Sequence, residues 1–190
     1  LNMCYYTSYK ALAAEDDPVQ VSDTVYEVSL RDGATFSDGT PVTIDDVVAS
    51  FERSMEEGGL YLSKLSFIES VEAKDDTTVT ITLAYPFSLL EERLSLVKII
   101  PAGASDDDLT AMPIGTGPWM YESIDSQQIT FVPNPHYNGD FPAGAETMQW
   151  EILKDDTART TAMNEGTVMA MESVPADATA LLEGAGATVE

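Results

Sequence analysis

An α+β fold, or a mixed α/β fold, is what this sequence predicts, and three observations support it. Residues 26–31 and 78–83 each alternate apolar and polar side chains with a period of two, which is typical of strands with one buried face. Residues 44–55 place apolar side chains on one helical face. Strand and helix patterns do not alternate strictly along the chain, and this disfavours a doubly wound parallel sheet.

The first strand leads into two tight turns and a helix. Asp32-Gly33 and Asp38-Gly39 are turn dipeptides, because glycine accepts a positive φ and aspartate bonds its own backbone. Thr43 is predicted to be the helix N-cap, with Asp46 three residues later in place of the usual Glu of a capping box. The apolar face of the helix consists of Val47, Val48, Phe51 and Met55.

Similar patterns predict the rest of the chain. Gly58-Gly59 is expected to end the first helix. An antiparallel hairpin is expected over residues 67–83, and a loop rich in Asn, Pro and Gly over residues 134–144. The other expected elements are strands at 97–100, 119–123, 128–133, 148–152 and 168–171, helices at 87–94, 157–165 and 175–182, and an acidic loop at 102–113.

The charge of the chain excludes two classes of partner. The 190 residues include 33 acidic and 9 basic side chains, which give a formal net charge of −24. Nucleic-acid binding needs Lys and Arg to neutralise phosphates, so this surface argues against it. Docking on anionic lipid is disfavoured for the same reason. The acidic clusters at 15–17 and 106–108 are expected to be solvated surface, with calcium binding as the alternative.

The single cysteine and the chain ends give further expectations. Cys4 has no cysteine partner for an intrachain disulfide and is expected to be a free thiol. No apolar run approaches the roughly 20 residues that span a bilayer. The chain begins at Leu1 without a recognisable signal peptide. We expect it to be a piece of a longer protein, whose membrane contact would go through an anchor absent from this chain.

The candidate ligand-binding residues are a glycine-containing run and a tryptophan that follows it closely. Gly115, Thr116 and Gly117 are predicted to line a cleft, since glycines let backbone N–H groups approach a ligand closely. The alternative for these residues is a tight turn that feeds a strand. Trp119 is a candidate for stacking on the ligand, as is Trp150, although the alternation of their strands favours burial of both rings in the core.

Catalytic and metal chemistry are not predicted. His136 is the only histidine, and one histidine without a cysteine nearby is more typical of a loop residue than of a metal ligand. With this single, poorly placed histidine, the sequence offers no Ser-His-Asp arrangement. A pair of glycosidase carboxylates stays open on composition, although nothing in the sequence selects one pair. We therefore expect no metal, no cofactor and no enzymatic activity.

Four segments form an ordered signature that covers nearly all of residues 25–175. The segments are Leu30–Gly33 with Phe36–Pro41 and Asp45–Val47; Ile68–Ala73 with Asp75–Val79; Pro113–Trp119; and Asn134–Gly139 with Ile152, Asp156–Thr160, Met163, Gly166 and Val168. In their order and spacing they resemble the family 5 extracellular solute-binding proteins, which include dipeptide, oligopeptide and nickel binders.

The resemblance implies a periplasmic-binding-protein type II-like lobe, present in part, with a small β-rich subdomain. Residues 1–190 would belong to the first lobe of a two-lobed clamp. About residues 40–115 would form the smaller subdomain, and residues 1–39 and 116–190 the main lobe.

The resemblance also implies a function. The protein would be the substrate-binding component of an ABC importer, extracellular or periplasmic and membrane-anchored in its full-length form. It would capture a small peptide or similar molecule between its lobes and deliver it to a permease. Two alternatives stay open: a ligand-sensing domain of a transcription regulator, and an acidic extracellular hydrolase.

Overall fold

Two antiparallel sheets carry the β structure of the computed structural model, which describes residues 17–59 and 61–189. The strand orders are β1-β2-β4-β3 and β5-β6-β7. Helix and strand take nearly equal shares, 24% and 23%, which confirms the α+β prediction. The strands are β1 (Val19–Ser22), β2 (Val25–Ser29), β3 (Ile68–Ala73), β4 (Thr78–Leu83), β5 (Trp119–Ile124), β6 (Gln128–Pro133) and β7 (Met148–Glu151). The helices are α1 (Ile44–Ser54), α2 (Leu62–Leu65), α3 (Leu90–Leu94), α4 (Asp106–Ala111), α5 (Asp156–Asn164) and α6 (Thr179–Gly184).

The main hydrophobic core includes the inner face of the four-stranded sheet and the apolar face of α1. On β4, Val79, Ile81 and Leu83 are each at most 2% exposed, because alternate residues of a strand point to the same side. Val47 and Phe51 of α1 belong to the same core. The predicted alternation of β4 and the predicted helix face are therefore confirmed, whereas four of the five residues of β2 are half-buried without alternation.

The four-stranded sheet joins chain segments that lie far apart in sequence. Tyr26 of β2 lies opposite Ile81 of β4, and Val71 of β3 lies opposite Ile81 on the other side. Strands before and after residue 40 thus share one sheet. The boundaries of the smaller subdomain stay a prediction.

Helix α1 begins at the predicted cap. Thr43 Oγ1 accepts a hydrogen bond from Asp46 N at 3.4 Å, and Asp46 Oδ2 accepts one from Thr43 N at 2.8 Å, so the capping box is complete. The helix ends at Ser54, ahead of the predicted stop at Gly58-Gly59.

Residues 97–100 form no strand, which corrects the prediction. Ile100 N donates to Ser50 Oγ at 3.0 Å, and Ala102 N donates to Asp46 Oδ1 at 2.8 Å. Ser50 and Asp46 are buried side chains of α1. The amides of Ile100 and, just after the segment, of Ala102 therefore donate to helix side chains and not to a neighbouring strand.

The segment 102–113 was predicted to be a loop but contains helix α4. Ser105 Oγ accepts from Asp108 N at 3.2 Å, and Asp108 Oδ2 accepts from Ser105 N at 3.2 Å. This second capping box has the same spacing as the first, and that spacing could have identified the helix. The hydrogen bond from the Ser105 hydroxyl, and to a smaller extent the one from the Ser105 amide, holds the pKa of the Asp108 carboxyl below its ordinary value.

Residues 168–171 also form no strand. The amides of Thr167 and Val168 both donate to Ala162 O, at 3.0 and 3.4 Å, and so complete the end of α5. Gly166 makes this possible with a φ of 71°. Met169, the next residue along, is 96% exposed. A strand prediction based on short apolar runs missed this local closure.

Three other differences concern the starts of two helices and one additional strand. Helix α3 starts at Leu90, and Phe87, expected in that helix, stacks on Phe67 with ring centroids 4.1 Å apart. Helix α6 starts after a turn in which Ala178 N donates to Pro175 O at 2.9 Å. Edge strand β1 was not predicted, and each of its four residues is exposed.

Some expectations concern residues that are not described. Cys4 and most of the acidic cluster at 15–17 lie outside residues 17–59 and 61–189. Within those ranges, no helix has both the length and the apolar character needed to cross a membrane.

Candidate ligand-binding site

The predicted site residues lie on a turn that is fixed from two sides through its carbonyl groups. Ser37 N, in the loop that follows β2, donates to Gly115 O at 2.8 Å. Asn134, directly after β6, donates through Nδ2 to Gly117 O at 2.8 Å and through its backbone N to Pro118 O at 2.9 Å. The turn is therefore oriented by a loop that follows a strand of the four-stranded sheet and by a residue that follows a strand of the three-stranded sheet.

The amide groups of the same turn have no such role. Among the described residues, the N–H groups of Gly115, Thr116 and Gly117, here called the amide row, donate to no acceptor. Apart from its chain neighbours, no atom of the described part of the chain lies within 4 Å of the point where a side chain of Gly115 would start. Gly115 O and Gly117 O already accept hydrogen bonds while these three amides donate none within the described residues, so the amide row keeps donor capacity that a ligand acceptor would satisfy.

The two other predicted contributors differ in exposure. Thr116 is only 6% exposed, so its side chain packs inward while its backbone takes part in the turn. Trp119 opens β5, lies opposite Pro133 and is half-buried. The structure thus brings all four predicted residues together on one turn and the start of the following strand.

The second tryptophan, Trp150, was expected to favour the core, and it does so only in part. Its ring contacts Phe131 with centroids 4.8 Å apart, while 37% of the residue remains exposed. β7 is an edge strand of the three-stranded sheet, so one side of its residues faces no further strand. Alternation alone does not distinguish an edge strand from a central one.

Asn134 is a positioning residue that sequence reasoning did not single out. It is 6% exposed, and its Oδ1 accepts from His136 N at 2.9 Å while Nδ2 reaches Gly117. One side chain thereby links the turn of the amide row to the 134–139 loop. The available signal was a small amide side chain at the start of a loop, which commonly bonds backbone groups nearby.

The Asp-Gly turns pack against this same 134–139 loop. Thr35 Oγ1 donates to His136 O at 2.9 Å, and Asn138 Nδ2 donates to Asp32 O at 3.1 Å. Gly39 has a φ of 86°, and a Cβ placed on it would lie 3.1 Å from the His136 ring. The first, third and fourth signature segments therefore meet at one junction, which adjoins the candidate site.

His136 has a packing role in this junction. No group of three or more His, Cys, Asp or Glu side chains that could hold a metal ion occurs in the described part of the chain. The ring instead covers Gly39. The Asp106–Asp108 cluster is exposed, as expected for solvated surface, and Asp108 serves the capping box of α4.

The turn at Asp38 gives a prediction for pH titration. Hydrogen bonds from the hydroxyl and the amide of Thr40, at 2.7 and 2.9 Å, lower the pKa of the Asp38 carboxyl from its ordinary 3.8. This carboxylate therefore adds stability above pH 3.8, and the contribution is lost as pH falls through the lower folded-state pKa.

Thr40→Val is expected to raise the pKa of Asp38 toward its ordinary value, measured by carboxyl-carbon NMR titration. Asp75 is the reference in the same spectra, because Thr77 lowers its pKa in the same way and the substitution does not touch it. An unchanged pKa of Asp38 in the variant would show that the hydroxyl of Thr40 is not the cause.

Comparisons with known proteins agree on one family. The family profile described as "Bacterial extracellular solute-binding proteins, family 5 Middle" matches residues 8–190. An Escherichia coli K12 protein named "Probable D,D-dipeptide-binding periplasmic protein DdpA" is 31% identical over 160 residues, which are 78% of this chain and 31% of that protein. The chain spans about a third of the length of the curated relatives that it matches.

Solved structures share the fold. The binding protein MoaA from A. tumefacien R10, in complex with mannopinic acid, superposes with a TM-score of 0.70 at 29% identity, over 83% of this chain and 33% of that one. The oligopeptide-binding protein AppA from Bacillus subtilis, in complex with a nonapeptide, gives 0.72 at 24% identity, over 92% and 37%. The predicted periplasmic-binding-protein-like lobe is thereby confirmed.

These relatives are binding proteins and not enzymes, in agreement with the expectation of capture without catalysis. The profile match extends over nearly the whole chain and includes all four signature segments. The chain belongs to the bacterial extracellular solute-binding proteins of family 5.

Proposed function

We propose that this chain is part of the substrate-binding component of an ABC importer for short peptides. In this proposal the turn at residues 115–117 and the side chain of Trp119 form one wall of the ligand cleft. A second lobe supplies the opposite wall and closes over the ligand. The protein works outside the cytoplasmic membrane, anchored to it, and passes the ligand to a permease.

The amide row is the observation that carries the proposal. A peptide offers backbone carbonyls and a terminal carboxylate, and these acceptors match a wall of N–H donors. Ser37 and Asn134 donate hydrogen bonds to the carbonyl groups of the turn and hold it in place before the ligand arrives. Because the N–H donors are already oriented, ligand binding loses little conformational entropy. The half-buried ring of Trp119 adds an apolar surface beside them.

The choice of peptides rests on relatives in addition to this chemistry. DdpA carries a dipeptide in its name, at 31% identity. MoaA, at 29% identity, was solved with mannopinic acid, which also bears acceptors suited to N–H groups. Peptides are proposed because backbone donors recognise backbone carbonyls without regard to side chains, as uptake of mixed peptides requires.

Calorimetry on the full-length protein tests the ligand class. The titrants are L-Ala-L-Ala, D-Ala-D-Ala, a mixed nonapeptide and mannopinic acid. We expect at least one peptide to bind in the micromolar range and mannopinic acid not to bind. Binding of mannopinic acid without binding of any peptide would overturn the peptide proposal.

Gly115→Ala tests the location of the site. A methyl group at this position meets no atom within 4 Å among the described residues other than its chain neighbours, and the backbone φ lies outside the left-handed region, so stability should change by less than about 0.5 kcal/mol. The methyl group would instead occupy the approach to the amide row. We expect peptide affinity to fall about tenfold, measured by calorimetry.

Gly103→Ala is the matched control, because Gly103 also has open space around it and an ordinary φ. It should leave both stability and affinity unchanged. Equal affinities for the two variants would place the ligand elsewhere on the protein.

A further inference from the structure

A cavity of about 320 Å³ lies away from the amide row, between α1, residues 96–100 and α4. Its volume is at the lower end of the range of about 300–1,000 Å³ that is usual for small-molecule sites. Leu96, Ile100 and Leu109 give it apolar walls, and Tyr61 contributes an aromatic ring. None of the proposed peptide-binding residues lines it.

Two cationic side chains line this cavity. Arg53 and Lys98 both line it, in a chain that has only 9 basic residues against 33 acidic ones. Lys98 Nζ donates to Ser95 O at 2.8 Å, which holds the ammonium group near the segment 96–100. A guanidinium and an ammonium group beside apolar walls, in a strongly negative protein, favour a ligand with an anionic head and an apolar body.

The structure already shows a carboxylate bound at Arg53. Asp106 of α4 accepts a hydrogen bond from Arg53 Nη2. The Asp106 side chain is 84% exposed and that of Arg53 40%, so the pair lies at the surface and contributes little to stability. A guanidinium group has five donors, and it suits carboxylates better than any other cationic side chain.

We propose that this cavity binds a small amphiphilic carboxylate, whose anionic group replaces Asp106 as the partner of Arg53. The apolar body of the ligand lies against Leu96 and Leu109, and the ammonium group of Lys98 adds a second attraction for the carboxylate. Asp106 and Leu109 are three residues apart on α4, so they lie on the same face of that helix. This site is independent of the peptide cleft.

Three probes with the same tail separate charge from apolar contact. Hexanoate, 1-hexanol and hexylamine are titrated into the full-length protein and followed by ligand-observed NMR. We expect hexanoate to bind in the millimolar range or tighter, hexanol more weakly, and hexylamine not at all. Absence of hexanoate binding, or equal binding of hexanol, would overturn the proposal.

Two substitutions shift the affinity in opposite directions. Arg53→Gln should weaken hexanoate binding about tenfold, because it removes the charged donor. Asp106→Asn should strengthen binding about threefold or more, because it removes the competing carboxylate from Arg53. A gain of affinity after loss of a surface carboxylate is not expected of a merely structural residue.

Matched controls separate the local effect from net charge. Asp107→Asn makes the same charge change one residue further along α4, and Lys74→Gln removes a cation that pairs with Glu27 on the four-stranded sheet. Both should leave hexanoate affinity within about twofold. If Asp107→Asn strengthens binding as much as Asp106→Asn, the effect comes from overall charge and the proposed exchange at Arg53 is wrong.

Discussion

Replacing Asp46 with alanine is expected to destabilise the fold by about 3 kcal/mol. The carboxylate is 8% exposed and accepts three hydrogen bonds: from Thr43 N and Thr43 Oγ1, both at 2.8 Å, and from Ala102 N at 2.8 Å. Its loss removes the reciprocal half of the α1 capping box. It also leaves the amide of Ala102 without its acceptor on the helix.

Urea unfolding of the purified protein measures this loss. Asp45→Ala is the control, since Asp45 lies in the same first turn of α1 and has the same charge but is exposed. It should change the free energy of unfolding by less than about 0.5 kcal/mol. Similar values for the two variants would mean that helix-dipole charge, and not the buried hydrogen bonds, accounts for the effect.

Gly39→Ala is expected to cost about 2–3 kcal/mol. One part of this cost is backbone strain, because a residue with a side chain rarely adopts the φ of 86° found here. The other part is steric, because the new Cβ would lie 3.1 Å from the ring of His136. The loop of Gly39 also carries Ser37, whose amide holds Gly115, so peptide affinity should fall with stability.

Gly58→Ala separates the two parts. Gly58 has the same φ of 86°, but within the described ranges no atom beyond its chain neighbours lies within 4 Å of the position of a new Cβ. Its cost should therefore be the strain alone, about 1 kcal/mol. Adding His136→Ala to Gly39→Ala should recover the steric part in a double-mutant cycle, and a cycle with no coupling would contradict packing between these loops.

The sequence predicted which residues form the candidate site but not which residues hold them in place. Glycines at 115 and 117 identified a turn that could approach a ligand, because that property belongs to the residue type. The contacts that orient the turn come from Ser37 and Asn134, which lie 78 and 17 residues away in sequence. Nothing in the neighbourhood of Gly115 indicates these partners, since they depend on how the sheets bring loops together.

The sequence by itself determined the features that depend on near neighbours. The period of two in β4, the Asp-Gly turns and the capping box of Thr43 and Asp46 each require only residues within a few positions of one another. The α+β class followed from these patterns, and the family followed from the ordered signature.

Only the tertiary structure decided the state of the apolar segment 97–100 and the role of His136. The segment has the composition of a buried strand, but Ser50 accepts the amide of Ile100, and Asp46 that of the following Ala102, from a helix about fifty residues earlier. His136 became a packing residue because the loop of Gly39 lies against its ring. Backbone donors must be satisfied and close loops must fit sterically, and the groups that meet these demands come from distant parts of the chain.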